Sequence, residues 1–279
     1  MFQIAIIGLT GQSLFFNVPR FHTGGETIHA NGFHEEWGGK GFNQAVAVVR
    51  QGAEVSFLTA VGIGDVTQVR AFLSAEKITG VVAGKESPSA HAAILTDGSG
   101  ETRVTVFTGA RLDIADVDPF AEAISSADFL LLNNEVPEEV NLHASEIAEA
   151  NGVRIIFNPA PSRHVPEALK RRVSLWTPNE FEEAALGDVE GEVVTTLGAR
   201  GCRIRSTGEV IPAPIAKAVD STGAGDTFNG VLAVRLAEGE SLAEACAAAN
   251  EAAAKSVTIR YVLPSIPHRI SNQTENRKC

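Results

Sequence analysis

The stretch Asp220-Ser-Thr-Gly-Ala-Gly-Asp226 constrains this chain more than any other. Gly223 and Gly225 permit a tight turn whose backbone N–H groups face one way, toward an anion. Phe228, Val231, Leu232 and Leu236 then recur at helical spacing. That places the glycines at a helix N-terminus, where the macrodipole also favours negative charge. Asp226 falls in the first turn of this helix. The dipole is expected to keep its carboxylate ionised at neutral pH, able to take a proton from a hydroxyl whose oxygen attacks phosphorus. A capping residue on an ordinary turn has the same local pattern, so the rest of the chain has to decide.

With 279 residues, 44% of them hydrophobic, the chain can bury one large core, and no long polar linker divides it. A formal net charge of -11 argues against nucleic-acid or anionic-membrane partners, which most of the surface would repel. The apolar start, Met1 to Gly8, is too short for a signal peptide, and no other run approaches membrane-spanning length, so a cytoplasmic protein is expected. Cys202, Cys246 and Cys279 are odd in number, far apart and without C-x-x-C spacing, which reads as free thiols. The seven histidines show no zinc-ligand spacing.

Taken in order, Gln3 to Gly8 reads as a buried strand. Gly11 to Ser13 then lie at its C-terminal end, where open α/β sheets bind ligands. Asn31-Gly32, between the short runs Glu26 to Ala30 and Phe33 to Trp37, predicts a hairpin. A second hairpin is expected from Ala90 to Leu95 and Thr102 to Phe107, joined by Asp97-Gly-Ser-Gly100. These strands interrupt the α/β rhythm twice. They are expected to form a small β lid, with hairpins at about 14–37 and 88–108, over one domain spanning 1–279.

Between the hairpins, Trp37-Gly-Gly-Lys-Gly-Phe-Asn-Gln44 puts another N–H-rich turn before an apolar helix beginning near Ala45, suited to an anion or a polyol. It is not a Walker A loop, because Gly41 follows Lys40, and the chain contains no G-x-G-x-x-G. From Asp128 the alternation is regular. Strands at Asp128 to Asn133, Val153 to Asn158, Val173 to Thr177 and Val193 to Leu197, with a helix over Glu138 to Ala150, predict a mostly parallel sheet with helices on both faces. A hairpin from Cys202 turns at Thr207-Gly208, and Ser241-Leu-Ala-Glu244 is a capping box opening a helix to about Ser256. Ser271 to Cys279 reads as a frayed tail.

Together these residues resemble the ribokinase-like (PfkB) carbohydrate kinase family over nearly the whole chain. One signature runs through Gly38-Gly-Lys-Gly-Phe-Asn-Gln-Ala-Val-Ala47 and Gly62-Ile-Gly-Asp65, the other through Asp220 to Gly230. Asn158-Pro-Ala-Pro161, Thr177-Pro-Asn-Glu180 and Thr196-Leu-Gly-Ala-Arg-Gly201 lie between them. The resemblance implies a ribokinase-like α/β fold and transfer of the ATP γ-phosphoryl group to a sugar hydroxyl. Asp226 would be the base, and Gly223, Ala224 and Gly225 the anion hole.

It further implies that Gly39, Asn43, Glu135 and Asp226 hold the sugar, with Ser13 at an aligned position. Asn179, Thr196, Gly198, Gly201 and Asn250 would line the nucleotide. Asn179 and Glu182 would position Mg2+, directly or through water, unless they only start a helix. An exposed helix stripe is the plain alternative for Asn250. Asp220, Thr222, Ser256, Ile259 and Ser265 match a monovalent-cation (K+) site, although Tyr261 stands where ribokinases have glycine. Lys40 reads as solvated or as a local charge partner.

Two departures stand out. Gly11 and Ser13 occupy positions where ribokinases have Asn and Asp. Losing a carboxylate that accepts two sugar hydrogen bonds costs about 2–3 kcal/mol for a substrate that needs it. The segment from Glu180 to Glu192 is also short for the family, just long enough for a crossover. A nucleoside kinase of the same fold, with Phe15, Phe16, Phe33 and Phe42 stacking on a base, and a non-catalytic sugar- or nucleotide-binding protein are the competing readings. Edge strands of the lid could pair two copies into a homodimer.

Overall fold

Apolar runs without alternation become the interior strands of a parallel sheet, because helices must cover both faces of each one. The structure, a computed structural model, describes residues 2–269. Cys279 and the tail expected from Ser271 lie outside them. The parallel strands run in the order β11 (Glu192–Thr196), β10 (Leu175–Trp176), β9 (Arg154–Asn158), β8 (Phe129–Asn133), β1 (Gln3–Ile7), β4 (Glu54–Gly62) and β5 (Thr79–Lys85). β12 (Cys202–Ile204) and β13 (Val210–Ile211) extend the β11 edge antiparallel.

β1 shows why both faces need cover. Its Ile4 and Ile6 pack with Phe42 of α1 (Lys40–Arg50), Val231 and Leu232 of α8 (Ala224–Ala237) and Ala249 of α9 (Leu242–Ser256). Ala5 and Ile7 turn the other way, toward Val140 and Ala144 of α5 (Glu138–Ala150). α2 (Val66–Ala75) extends the first layer through Val69 and Leu73. On the opposite face, α3 (Ile114–Val117), α4 (Ala121–Ser125), α6 (Glu167–Lys170) and α7 (Glu180–Leu186) contribute Val117, Ile124, Leu169 and Leu186. The short segment after β10 makes its parallel crossover to β11 with α7 alone. Cys202 and Cys246 are buried free thiols.

The second sheet has the order β3 (Gly32–Gly38), β2 (Gly11–Asn17), β6 (Ala90–Thr96), β7 (Thr102–Phe107). β6 and β7 form the hairpin expected around Asp97 to Gly100. The hairpin expected at Asn31-Gly32 is different. Residues 26–30 form no strand, Gly32 opens β3, and the antiparallel partner is β2, which ends at Asn17 opposite Gly32 with a long loop between them. β2 lies between β3 and β6, so β3 takes its partner from β2 and its other edge stays free. The long loop is closed instead by Asn31 N–H donating to Asn17 O at 2.7 Å.

The lid is tied down by a carboxylate. Glu36 on β3 accepts from the N–H groups of Val262 (2.8 Å) and Leu263 (3.2 Å), the first residues of α10 (Val262–Ser265).

Candidate active site

α8 begins at Gly223, which sits in the left-handed region (φ 76°). A Cβ there would strike the Val262 side chain, so glycine is required on two counts. A Cβ on Gly225 would meet nothing within 4 Å, so the turn opens onto free space. Among the described residues, no acceptor faces the N–H groups of Gly223 and Gly225, while Ala224 N–H reaches Ser221 O at 3.3 Å. These are the unsatisfied donors of a helix start, arranged as an anion cradle.

Asp226 follows within the first turn and is only 6% exposed. Two glycine contacts bring α1 against it. Gly230 on α8 would put a Cβ 2.6 Å from the Ala47 Cβ, and Gly41 on α1 would put one 2.6 Å from Gly8 Cα at the end of β1. Packed this closely, Asn43 Nδ2 donates to Asp226 Oδ2 at 2.8 Å.

The Asp226 carboxyl is raised above its ordinary value. Burial is the main cause, opposed by the Lys40 ammonium and by the hydrogen bond from Asn43. Desolvation of this buried acid thus acts against the helix start, which favours its ionised form.

Glu135, just after β8, accepts the Lys40 N–H at 2.6 Å. Burial pushes its carboxyl up to about 7, with Lys40 opposing, Asp226 adding and Arg163 also opposing. Of the two alternatives the sequence left for Lys40, solvated or a local charge partner, the structure shows the second. Burial works against its charge, but the fields of Asp226, Glu135 and Glu182 prevail and raise it, so one cation serves three carboxylates. Its place among three glycines of an N–H-rich turn was the available signal.

Gly39 caps α1 at φ 117°, where a Cβ would strike Leu9 O. Ser13 lies close by, since a Cβ on neighbouring Gly38 would sit 2.8 Å from Ser13 Oγ and 4.0 Å from Asn43 Oδ1. Asn43 Oδ1 is buried without a partner. Gly39, Asn43, Glu135, Asp226 and Ser13 thus converge on one hollow at the C-terminal ends of β1 and β8.

The residues assigned to the nucleotide gather along the β10–β13 edge. Asn179 and Thr196 form a parallel bridge, and Gly198 and Gly201 frame the turn after β11. Gly201 is fixed by packing, because a Cβ there would strike Ile211 O. Asn250 is not on an exposed stripe. It is 4% exposed, and its Nδ2 donates to Ile211 O at 2.9 Å, pinning β13 to α9.

Asn179 and Glu182 form a capping box: Asn179 Oδ1 accepts the Glu182 N–H (2.8 Å), and Glu182 Oε2 accepts the Asn179 N–H (2.9 Å). Glu182 is 8% exposed, and its Oε1 has no protein donor. A carboxylate oxygen left free of protein donors in the field of Lys40 and Asp226 fits a magnesium-bound phosphate.

The cation positions are drawn together differently. Asp220 Oδ1 accepts Thr222 N–H and Oδ2 accepts Tyr261 N–H, each at 3.0 Å. Ser256 O accepts Ile259 N–H at 3.1 Å, and Ser265 Oγ donates to Val262 O at 2.8 Å. The loop is closed on its own hydrogen bonds. Tyr261 holds φ 69° and stacks on His34 of the lid with ring centroids 3.8 Å apart.

A glycine cradle open to solvent, with a buried acid one turn behind it at the edge of a parallel sheet, suits transfer of a phosphoryl group to a hydroxyl. The site is of the phosphotransferase class. Comparison with known proteins narrows it: the chain belongs to the pfkB family of carbohydrate kinases, whose model matches residues 1–269. It is 33% identical to a ribokinase of Bacillus subtilis over 278 residues, 92% of this chain and 93% of that one. It is 32% identical to a bifunctional ribokinase/ribose-5-phosphate isomerase A of Fructilactobacillus sanfranciscensis, covering 96% of this chain and spanning 55% of the length of that longer relative. The fold superposes on a ribokinase structure from Thermotoga maritima with a TM-score of 0.84 at 29% identity, covering 96% of this chain and 97% of the other. Among the described residues no helix is long and apolar enough to cross a membrane.

Proposed function

We propose that this ATP-dependent sugar kinase works through Asp226 as general base, taking the proton of a sugar hydroxyl as its oxygen attacks the γ-phosphorus of ATP. The observation that carries this reading is the Asn43–Asp226 hydrogen bond beside the open Gly223–Gly225 turn. It aims one carboxylate oxygen while the cradle N–H groups stand ready for the charge that builds on the transferring group.

Gly39, Asn43, Glu135 and Ser13 hold the acceptor, and Lys40 offsets the charge of the three acids around it. Asn179, Thr196, Gly198, Gly201 and Asn250 border the nucleotide. Glu182 would hold Mg2+, whose chemistry is to neutralise phosphate charge. The Asp220 loop, bonded to itself, orders the turn that precedes the cradle.

The exposed apolar residues Phe33, Val104, Val106 and Phe107 of the lid support pairing of two copies through this sheet, whose free edges are β3 and β7. The test of the function is ADP release from Mg-ATP against pentoses, hexoses, sugar acids, sugar phosphates and nucleosides. Turnover confined to carbohydrates supports the reading. Preferential turnover of nucleosides replaces it with nucleoside phosphorylation, and nucleotide binding without turnover replaces it with a binding protein.

A further inference from the structure

Beside the acceptor hollow lies a cavity of about 540 Å3 that the kinase reading leaves unused. Asn134, Val136 and Pro137 form one wall, and Arg111, Arg163 and His164 stand around the opening. A narrow void shares Arg111, Val136 and Pro137 with it and reaches Gly8, Leu9 and Glu135, so the cavity adjoins the acceptor hollow.

Two arginines and three carboxylates line it. Asp113 shares Lys85 (2.9 Å) with Asp116 (2.6 Å), and Glu138 lies 3.4 Å from the His164 ring. Among the described residues, neither Arg111 nor Arg163 has an ion-pair or hydrogen-bond partner, while Glu138 and Glu139 line the same cavity. Elsewhere among the described residues Arg20, Arg50, Arg103, Arg172, Arg200, Arg203, Arg235 and Arg269 pair with Glu side chains. Two unengaged guanidiniums at one cavity are a site for a carboxylate or phosphate.

Asn134 supplies the second observation. It is 7% exposed, and its Nδ2 is buried without any acceptor, a costly state for an amide donor unless a ligand oxygen meets it. Its backbone N–H is already used, donating to Ala160 O at 3.0 Å, so the side chain is held in place by the strand end that carries Glu135.

We infer that this cavity receives an anionic group carried by the acceptor, a carboxylate or a phosphate, held by Arg111 and Arg163 with Asn134 Nδ2 at its inner wall. The substrate would then be a sugar acid or a sugar phosphate rather than a neutral sugar. The inference rests on the kinase reading only for the identity of the acceptor site. Ser13, uncharged at the lid side of the hollow, leaves the anion no opposing carboxylate there.

The test measures binding and turnover separately. Binding of ribose, ribonate, fructose and fructose 1-phosphate to the full chain is measured by calorimetry without nucleotide, and ADP release with Mg-ATP is then followed for the same compounds. The expected result is binding of the carboxylate or the phosphate compound at least about 10-fold tighter than its neutral counterpart, with the ratio falling about 10-fold or more in Arg111→Gln/Arg163→Gln. The two pairs distinguish carboxylate from phosphate.

Arg111→Lys/Arg163→Lys, which keeps the charge, should retain part of the preference, and thermal melting confirms that each variant is folded. Neutral sugars bound as tightly as the anionic ones, no binding of any anionic compound, or a preference that survives loss of both arginines would overturn the inference. Selective binding without ADP release would uphold the anion site and overturn the kinase reading instead.

Discussion

Asn43 donates to Asp226 across 183 residues of sequence, joining the start of α1 to the start of α8. The bond favours the ionised acid, while burial favours the neutral one.

Replacing Asn43 by alanine removes that donor. The Asp226 carboxyl then rises further, so the acidic limb of the kcat/KM profile should move to higher pH by about one unit, and on that limb kcat/KM should fall about 10-fold. Rate profiles from pH 5.5 to 9 for wild type and Asn43→Ala check this. An unmoved limb would separate the bond from the proton transfer.

Glu135 makes stability depend on pH. Its carboxyl stands at about 7 in the fold against 4.5 for the ordinary group. The native state therefore holds a proton that the unfolded chain has released, and stability declines as pH rises from 4.5 through 7. Glu135→Gln has no such cost. Its melting temperature relative to wild type should climb between pH 5 and pH 8, by an amount equivalent to up to about 3 kcal/mol. A constant difference across that window would show that Glu135 does not titrate in it.

The lid depends on Glu36, whose side chain is 5% exposed and caps α10 from β3. Glu36→Ala leaves two backbone N–H groups without their acceptor and should loosen the lid. The acceptor KM should rise about 10-fold, with a smaller change in kcat. Steady-state kinetics with varied acceptor measure the split, and a fall in kcat at constant KM would place Glu36 with the chemistry instead.

What was legible in the sequence was local. The Gly-Ala-Gly-Asp turn, the capping boxes at Asn179 and Ser241 and the βαβ alternation after Asp128 each carry their signal within a few residues, and the structure has all of them. β2 was not legible, because Gly11–Asn17 is defined by partners 15 to 79 residues away, Gly32 and Ala90 among them. The same non-locality left Lys40 and Asn250 each with two readings. Lys40 is surrounded by acids just after β8, on α7 and on α8, and Asn250 is buried by β12 and β13. The raised carboxyl of Asp226 follows from packing of α1 on α8, which no spacing along one helix reveals.

The most direct test is ADP release by Asp226→Asn with Mg-ATP and the best acceptor from the panel. Asparagine keeps the shape but cannot take the proton. Turnover should fall about 100-fold or more, while nucleotide and acceptor still bind. Turnover within a few-fold of wild type would contradict the account, because the buried acid behind the cradle would then have no part in the reaction.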